Sequence, residues 1–99
     1  MKRNIIAELV LSPMTNEVGI SAPLKEALVI LRKNPDLEIQ THAMGTNILC
    51  HDLNILFEAI KECHNFLIEK HPRVVTTIKL DERTDTLDRK MEDKINKVL

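Results

Sequence analysis

The stretch THAMGTNILC, residues 41–50, narrows the choice of fold more than any other part of the chain. Two short apolar runs flank Gly45. Glycine reaches φ > 0 without a Cβ clash, so the sequence predicts a tight reversal at 44–46 between two paired strands. Helical periodicity lies on either side of this hairpin, and a further strand-like run stands beyond each helix. The expected order is strand, helix, hairpin, helix, strand, then a short tail helix.

Residues 4–11 (NIIAELVL) predict the first strand. Ile5, Ala7, Leu9 and Leu11 share one face, and Ile6, Glu8 and Val10 the other. Both faces are mostly apolar, as in a central strand covered on two sides. The strand is expected to stop at Ser12-Pro13, because proline has no N–H to give to a ladder. Residues 14–20 read as a loop. Ser21 is the expected cap of the first helix, with Pro23 in the first turn, where a missing N–H costs nothing. Leu24, Ala27, Leu28 and Leu31 follow at helical spacing until Asn34-Pro35 closes the helix. Residues 37–42 and 46–51 are the hairpin strands. Asp52 is the next cap, and Leu53, Leu56, Phe57, Ile60, Cys63 and Leu67 form an apolar stripe on a helix reaching about Lys70. Residues 73–81 predict the fourth strand, with Val74, Thr76, Ile78 and Leu80 on one face and Val75, Thr77, Lys79 and Asp81 on the other. The charged stretch 82–89 is expected to be loose. Met91, Ile95 and Val98 give 91–99 an amphipathic turn or two.

The order βαββαβ points to an α+β domain, a ferredoxin-like sandwich with a short C-terminal helix and with its first and third strands central. Ninety-nine residues make this a single domain spanning 1–99. Two helices cover only one face of a small sheet, so the other face is expected to meet another subunit. With 14 Lys+Arg against 15 Asp+Glu, the chain is nearly neutral. That argues against an electrostatic grip on nucleic acid or an anionic membrane. Phe57 and Phe66 are the only aromatic residues, and both belong to a predicted helix, so a base-stacking platform on the sheet is missing. No apolar run is long enough to cross a membrane. The opening MKRNIIAELVLS reads as a strand rather than a signal peptide, because Glu8 interrupts it and no small-residue cleavage pattern follows. Cys50 and Cys63 lie in apolar settings without a repeated spacing, which predicts reduced, buried thiols and a cytoplasmic location.

Strand alternation gathers Glu8, Asn47, Thr77 and Lys79 on the sheet face away from the helices, with Gln40 or His42 further out. Such a group can hold a small polar ligand between two sheets. It can equally be an interface in which Glu8 and Lys79 pair with each other. His42, Cys50, His51, Cys63, His64 and His71 show no metal-ligand spacing, and no metal is expected. Ser12, Ser21 and the threonines lack a nucleophile elbow. The loop 14–20 lacks the arginine that a phosphate cradle of acylphosphatase type needs. No enzyme is expected.

AELVLSP near the start, MGT at the hairpin, EAIKECH on the second helix and VVTTIKLDER followed by MEDKI resemble the small YkoF-like thiamine-binding protein family. The resemblance spans nearly the whole chain, and TTIKLDER with the trailing MEDKI is its most specific part. It implies a stand-alone ferredoxin-like domain that assembles through its sheets into a homodimer or homotetramer. It also implies binding of thiamine or its pyrimidine moiety at or near subunit contacts, without catalysis and without another cofactor. Carried over by position, it points to Glu8, Ser21, Gly45, Thr46, His64, Thr77, Lys79, Asp81 and Arg83. With Asn47 from the open face, the expected ligand-binding set is Glu8, Ser21, Gly45, Thr46, Asn47, Thr77, Lys79 and Arg83. In that set Glu8 answers the cation or the ring donors, Thr46 and Thr77 offer hydroxyls, and Lys79 and Arg83 suit a phosphate. Pro23 departs from the family, whose members often carry a tyrosine two residues after the helix-start serine. With no Trp or Tyr, packing against a ligand ring falls to Phe57 or Phe66, or is replaced by Met14 or Met44. The alternative is a structural or regulatory homo-oligomer whose polar sheet face serves assembly only.

Overall fold

The computed structural model describes residues 3–14, 21–85, 90–96 and 98. Most of the expected loop over 14–20, the stretch 86–89, residues 97 and 99, and the side chain of Ser21 lie outside the described residues. The elements run β1 (Ile5–Met14), α1 (Ser21–Arg32), β2 (Glu38–His42), β3 (Gly45–Cys50), α2 (Leu53–Ile68), β4 (Arg73–Glu82) and α3 (Met91–Asn96). The four strands form one antiparallel sheet in the order β2-β3-β1-β4. This is the ferredoxin-like α+β arrangement, with β1 and β3 central.

Helices α1 and α2 pack on one sheet face. Ile5, Ala7, Leu9 and Leu11 of β1 and Ile48 and Cys50 of β3 are buried against Ala27 and Leu31 of α1 and Leu56, Ile60, Cys63 and Leu67 of α2. Each large aliphatic side chain withdrawn from water in this layer is worth about 1.5–3 kcal/mol. The Cys63 thiol donates to the Ala27 carbonyl at 3.2 Å and ties the two helices together. Asp52, with extended backbone (φ −143°, ψ 121°), caps α2 as expected, and its carboxylate accepts from the Asn54 and Ile55 amides at 2.8 and 3.3 Å. Those amides belong to the first turn, where no carbonyl precedes them.

Several expectations need correction. β1 does not stop at Ser12-Pro13; it runs to Met14, and Pro13 pairs in register with Val74. The pairing of β1 with β3 ends at Leu9 and Thr46, so this end of β1 is an edge, where a missing N–H is tolerated. The hairpin reverses at Ala43-Met44, while Gly45 already belongs to β3 and pairs with His42. Gly45 is not left-handed; a Cβ there would stand 3.1 Å from both the Leu9 carbonyl oxygen and Val10 Cγ2, so glycine serves close approach of strands instead. On α2 the buried row runs through Ala59, while Phe57 is exposed. The core centres on Leu56, Ile60, Cys63 and Leu67, and Phe57 is turned about 100° from Leu56 toward the flank.

The second sheet face is partly covered by the chain itself. Met91 of α3 is only 4 % exposed and forms a small core with Ile6 and Leu49. Ile95 and Val98, expected on the same apolar stripe, are exposed.

Candidate functional site

Strand register lays out the uncovered part of the second face row by row. Gln40, Asn47, Glu8 and Lys79 stand side by side across the four strands, and His42, Gly45, Val10 and Thr77 form the next row. Glu8 and Lys79 are therefore direct cross-strand neighbours, as period-2 alternation requires. Glu8 makes a side-chain contact with a different residue: His42 Nε2 lies 3.5 Å from Glu8 Oε2, and both side chains are partly exposed. The His42 ring reaches Glu8 across β3, over Gly45, where no side chain intervenes. His42 Nδ1 accepts a hydrogen bond from the Met44 amide at 3.2 Å, which leaves the proton of a neutral ring on Nε2, facing the carboxylate. One imidazole thus joins the hairpin tip to β1.

That tip closes a cavity of about 310 Å³ at the end of the sheet where β1 outruns β3. Leu9 and Leu11 form one wall and Leu24 and Leu28 of α1 another. Thr41 and Thr46 bring hydroxyls, and His42 and Met44 form the lip. Thr41 Oγ1 also accepts from Arg32 Nη2 at 3.2 Å. An apolar slot of this size with a few polar groups converging on it is the usual form of a small-molecule site.

The expected residues fall into separate groups. Gly45 and Thr46 line the cavity, and Ser21 opens the helix that carries two of its leucines. Thr46 is buried, on the helix side of the sheet, so it and Thr77 face opposite ways. Glu8 touches His42 at the lip but is itself outside the lining, on the open face. Asn47, Thr77 and Lys79 lie on the open face outside the lining. Arg83 stands past the far end of β4, its guanidinium held by the Asp85 carboxylate at 2.8 and 2.6 Å. His64 bonds Thr76 on the helix side, with Nδ1 2.6 Å from Oγ1. Phe57 and Phe66 are not part of the lining, which takes Met44 in their place; Phe66 instead lies under the Lys70 ammonium, 4.9 Å from its centroid.

Sequence reading missed Thr41, Leu24 and Leu28 as site residues. Leu24 and Leu28 carried a visible signal, since they flank the buried Ala27 and Leu31 on the side toward the hairpin. Among the described residues no three of His, Cys, Asp and Glu come together to hold a metal ion, and no helix is long and apolar enough to cross a membrane. Cys50 and Cys63 are free and buried, and burial raises both thiols, Cys63 to about 11.

The profile of a family described as thiamine-binding protein matches residues 7–99. UPF0045 protein MJ1052 of Methanocaldococcus jannaschii is 36 % identical over 93 residues, which cover 91 % of either chain. Its crystal structure superposes with a TM-score of 0.87 over 97 % of this chain and 96 % of that one, at 32 % identity. A UPF0045 protein of Methanothermobacter thermautotrophicus is 34 % identical over 96 residues, 95 % of each chain. A Thermotoga maritima protein, proposed to act in thiamine biosynthesis or salvage, shares the fold at a TM-score of 0.81 and 12 % identity, over 97 % of this chain and 99 % of that one.

Proposed function

The chain belongs to the thiamine-binding protein family, and we propose that it holds thiamine or its pyrimidine moiety, without catalysis, in the cavity at the hairpin end of the sheet. One observation carries the reading: an apolar slot between β1 and α1 receives the hydroxyls of Thr41 and Thr46, and at its lip stands His42, which contacts the Glu8 carboxylate on the open face. An aminopyrimidine has two apolar faces and a polar edge. Leu9 and Leu11 opposite Leu24 and Leu28 suit the faces, and the hydroxyls of Thr41 and Thr46 suit the edge. Thiamine adds a permanent cation, which the Glu8 carboxylate, one side chain beyond the His42 lip, attracts. We place a second copy of the chain over the uncovered part of the open face, with Asn47, Thr77 and Lys79 at the contact, so that the ligand lies near a subunit boundary.

Calorimetric titration with thiamine, thiamine phosphates and hydroxymethylpyrimidine tests this. Saturable heat at a fixed ratio per chain supports it; no heat from folded protein at high concentration sinks it. Glu8→Gln should weaken binding of thiamine at least tenfold and leave the assembly size unchanged. The polar row Gln40–Asn47–Glu8–Lys79 also favours a second reading, in which the face serves assembly only. There Glu8→Gln changes the assembly size, and the wild type gives no ligand heat.

A further inference from the structure

Thr41 lines the cavity and also makes a contact with α1. On β2 it pairs with Thr46, and the two hydroxyls come from the same side of the sheet, the side of the helices. Thr41 Oγ1 accepts from Arg32 Nη2 at 3.2 Å. A hydroxyl that accepts from a guanidinium keeps its own proton to donate, and turns that proton away from the cation. Arg32 owes its place to the helix that walls the slot. Leu24, Leu28 and Arg32 recur every four residues, so they stand in one row along α1. Two apolar side chains of the row line the cavity, and the third ends the row with a positive charge.

That charge is unspent. The guanidinium of Arg3 is held by Glu82 and that of Arg83 by Asp85, each through two bonds. Among the described residues no carboxylate pairs with Arg32, whose partner is a neutral hydroxyl. A basic residue in the last turn of a helix also answers the helix dipole, but for that it has no need to reach across to β2. A planar fork with N–H groups still to give, beside a hydroxyl with its proton to give, is a donor set for an oxyanion. The Glu8 carboxylate does not compete for this fork. His42, which meets Glu8, alternates with Thr41 along β2 and stands on the other sheet face.

We propose that Arg32 and Thr41 form a phosphate subsite, so that the cavity selects a phosphate monoester over the corresponding alcohol, resting on the reading above that the slot takes the ring. Leu24 and Leu28 pack on the ring, and the ester carries the phosphate along their row toward Arg32. The guanidinium donates to one phosphate oxygen and the Thr41 hydroxyl to another. Charged donors of this kind bind an oxyanion more strongly than neutral ones do, and a forked guanidinium matches phosphate better than an ammonium. The phosphate of hydroxymethylpyrimidine and thiamine monophosphate both carry this group on a ring of the proposed kind.

The test is calorimetric titration of the wild type with two matched pairs: hydroxymethylpyrimidine and its phosphate, thiamine and its monophosphate. In at least one pair the ester should bind at least tenfold tighter than the alcohol, the low end of what a charge-assisted hydrogen bond contributes. The pair with the larger advantage identifies the ring. Arg32→Gln should bring that ratio down to about one. Arg32→Lys keeps the charge without the fork and should retain part of the ratio, a grading that a purely structural role would not produce. Arg32 is exposed at a helix end, so both variants should fold, and circular dichroism checks this. Equal binding of alcohol and ester by the wild type overturns the phosphate subsite and leaves the ring reading standing. So does an ester advantage that survives Arg32→Gln. No heat from any of the four compounds overturns both.

Discussion

Replacing Gly45 by alanine separates two reasons for having a glycine at the start of β3. A Cβ at this position meets the Leu9 carbonyl oxygen at 3.1 Å, Val10 Cγ2 at 3.1 Å and His42 Cε1 at 3.5 Å. The Val10 methyl belongs to a half-buried side chain and can turn aside. The Leu9 carbonyl cannot, because β1 is held at this point by β3 on one side and β4 on the other. Such overpacking costs about 1–3 kcal/mol. Alanine recovers about 0.5–1 kcal/mol through the smaller chain entropy it loses on folding. The steric term wins, and Gly45→Ala should destabilise the domain by about 1 kcal/mol, a fall in thermal midpoint of about 4–8 °C. Thermal unfolding followed by circular dichroism reads this directly, and Gly45→Val should fall further. An alanine variant as stable as the parent would refute the reasoning: the approach of β3 to β1 would then have slack, and glycine would not be required there.

Other expectations follow from single side chains. Asp52→Ala removes both capping bonds of α2 and should cost about 1 kcal/mol in urea denaturation, whereas Asp52→Asn should cost much less. The Cys63 thiol, raised by burial to about 11 from an ordinary 9.0, keeps its proton in the folded chain while the unfolded chain loses it. Its contribution to stability is therefore complete below pH 9.0 and should be lost as pH climbs toward about 11, a decline that Cys63→Ala should lessen in pH-dependent unfolding. At pH 8 alkylation of Cys63 should proceed only as fast as the core opens, and iodoacetamide labelling followed by mass measurement checks it.

The sheet was legible in the chain where the relevant physics is local. Alternation in NIIAELVL displayed two apolar faces and hence a central strand, and β1 indeed lies between β3 and β4. Asp52 before an apolar helical stripe announced its own cap. The same period-2 count put Glu8, Asn47, Thr77 and Lys79 on one face, as the register has them. What escaped depends on distant partners. Pro13 is tolerated in β1 because β3 has already ended, which no property of Pro13 reveals. Gly45 looked like a turn residue, yet its reason lies in the Leu9 carbonyl, far off in sequence. The cavity needs α1, the hairpin tip and the end of β1 at once, and the contact of His42 with Glu8 exists only once the register brings them to one side. Met91 was readable as apolar, but not which sheet face it would cover.

The position of β1 has a consequence for how the protein is made. Of the four strands this one is synthesised before the others, yet it must be flanked on both sides, and one flank is β4, where Ile5 is matched with Glu82. Until that late partner is synthesised, a ribbon apolar on both faces has nothing permanent to lie against. Contacts this distant in sequence slow folding and prolong the exposure of sticky intermediates. The nascent chain is thus most vulnerable to aggregation during its own translation, and a holding chaperone should matter most for molecules stalled between the second helix and the fourth strand.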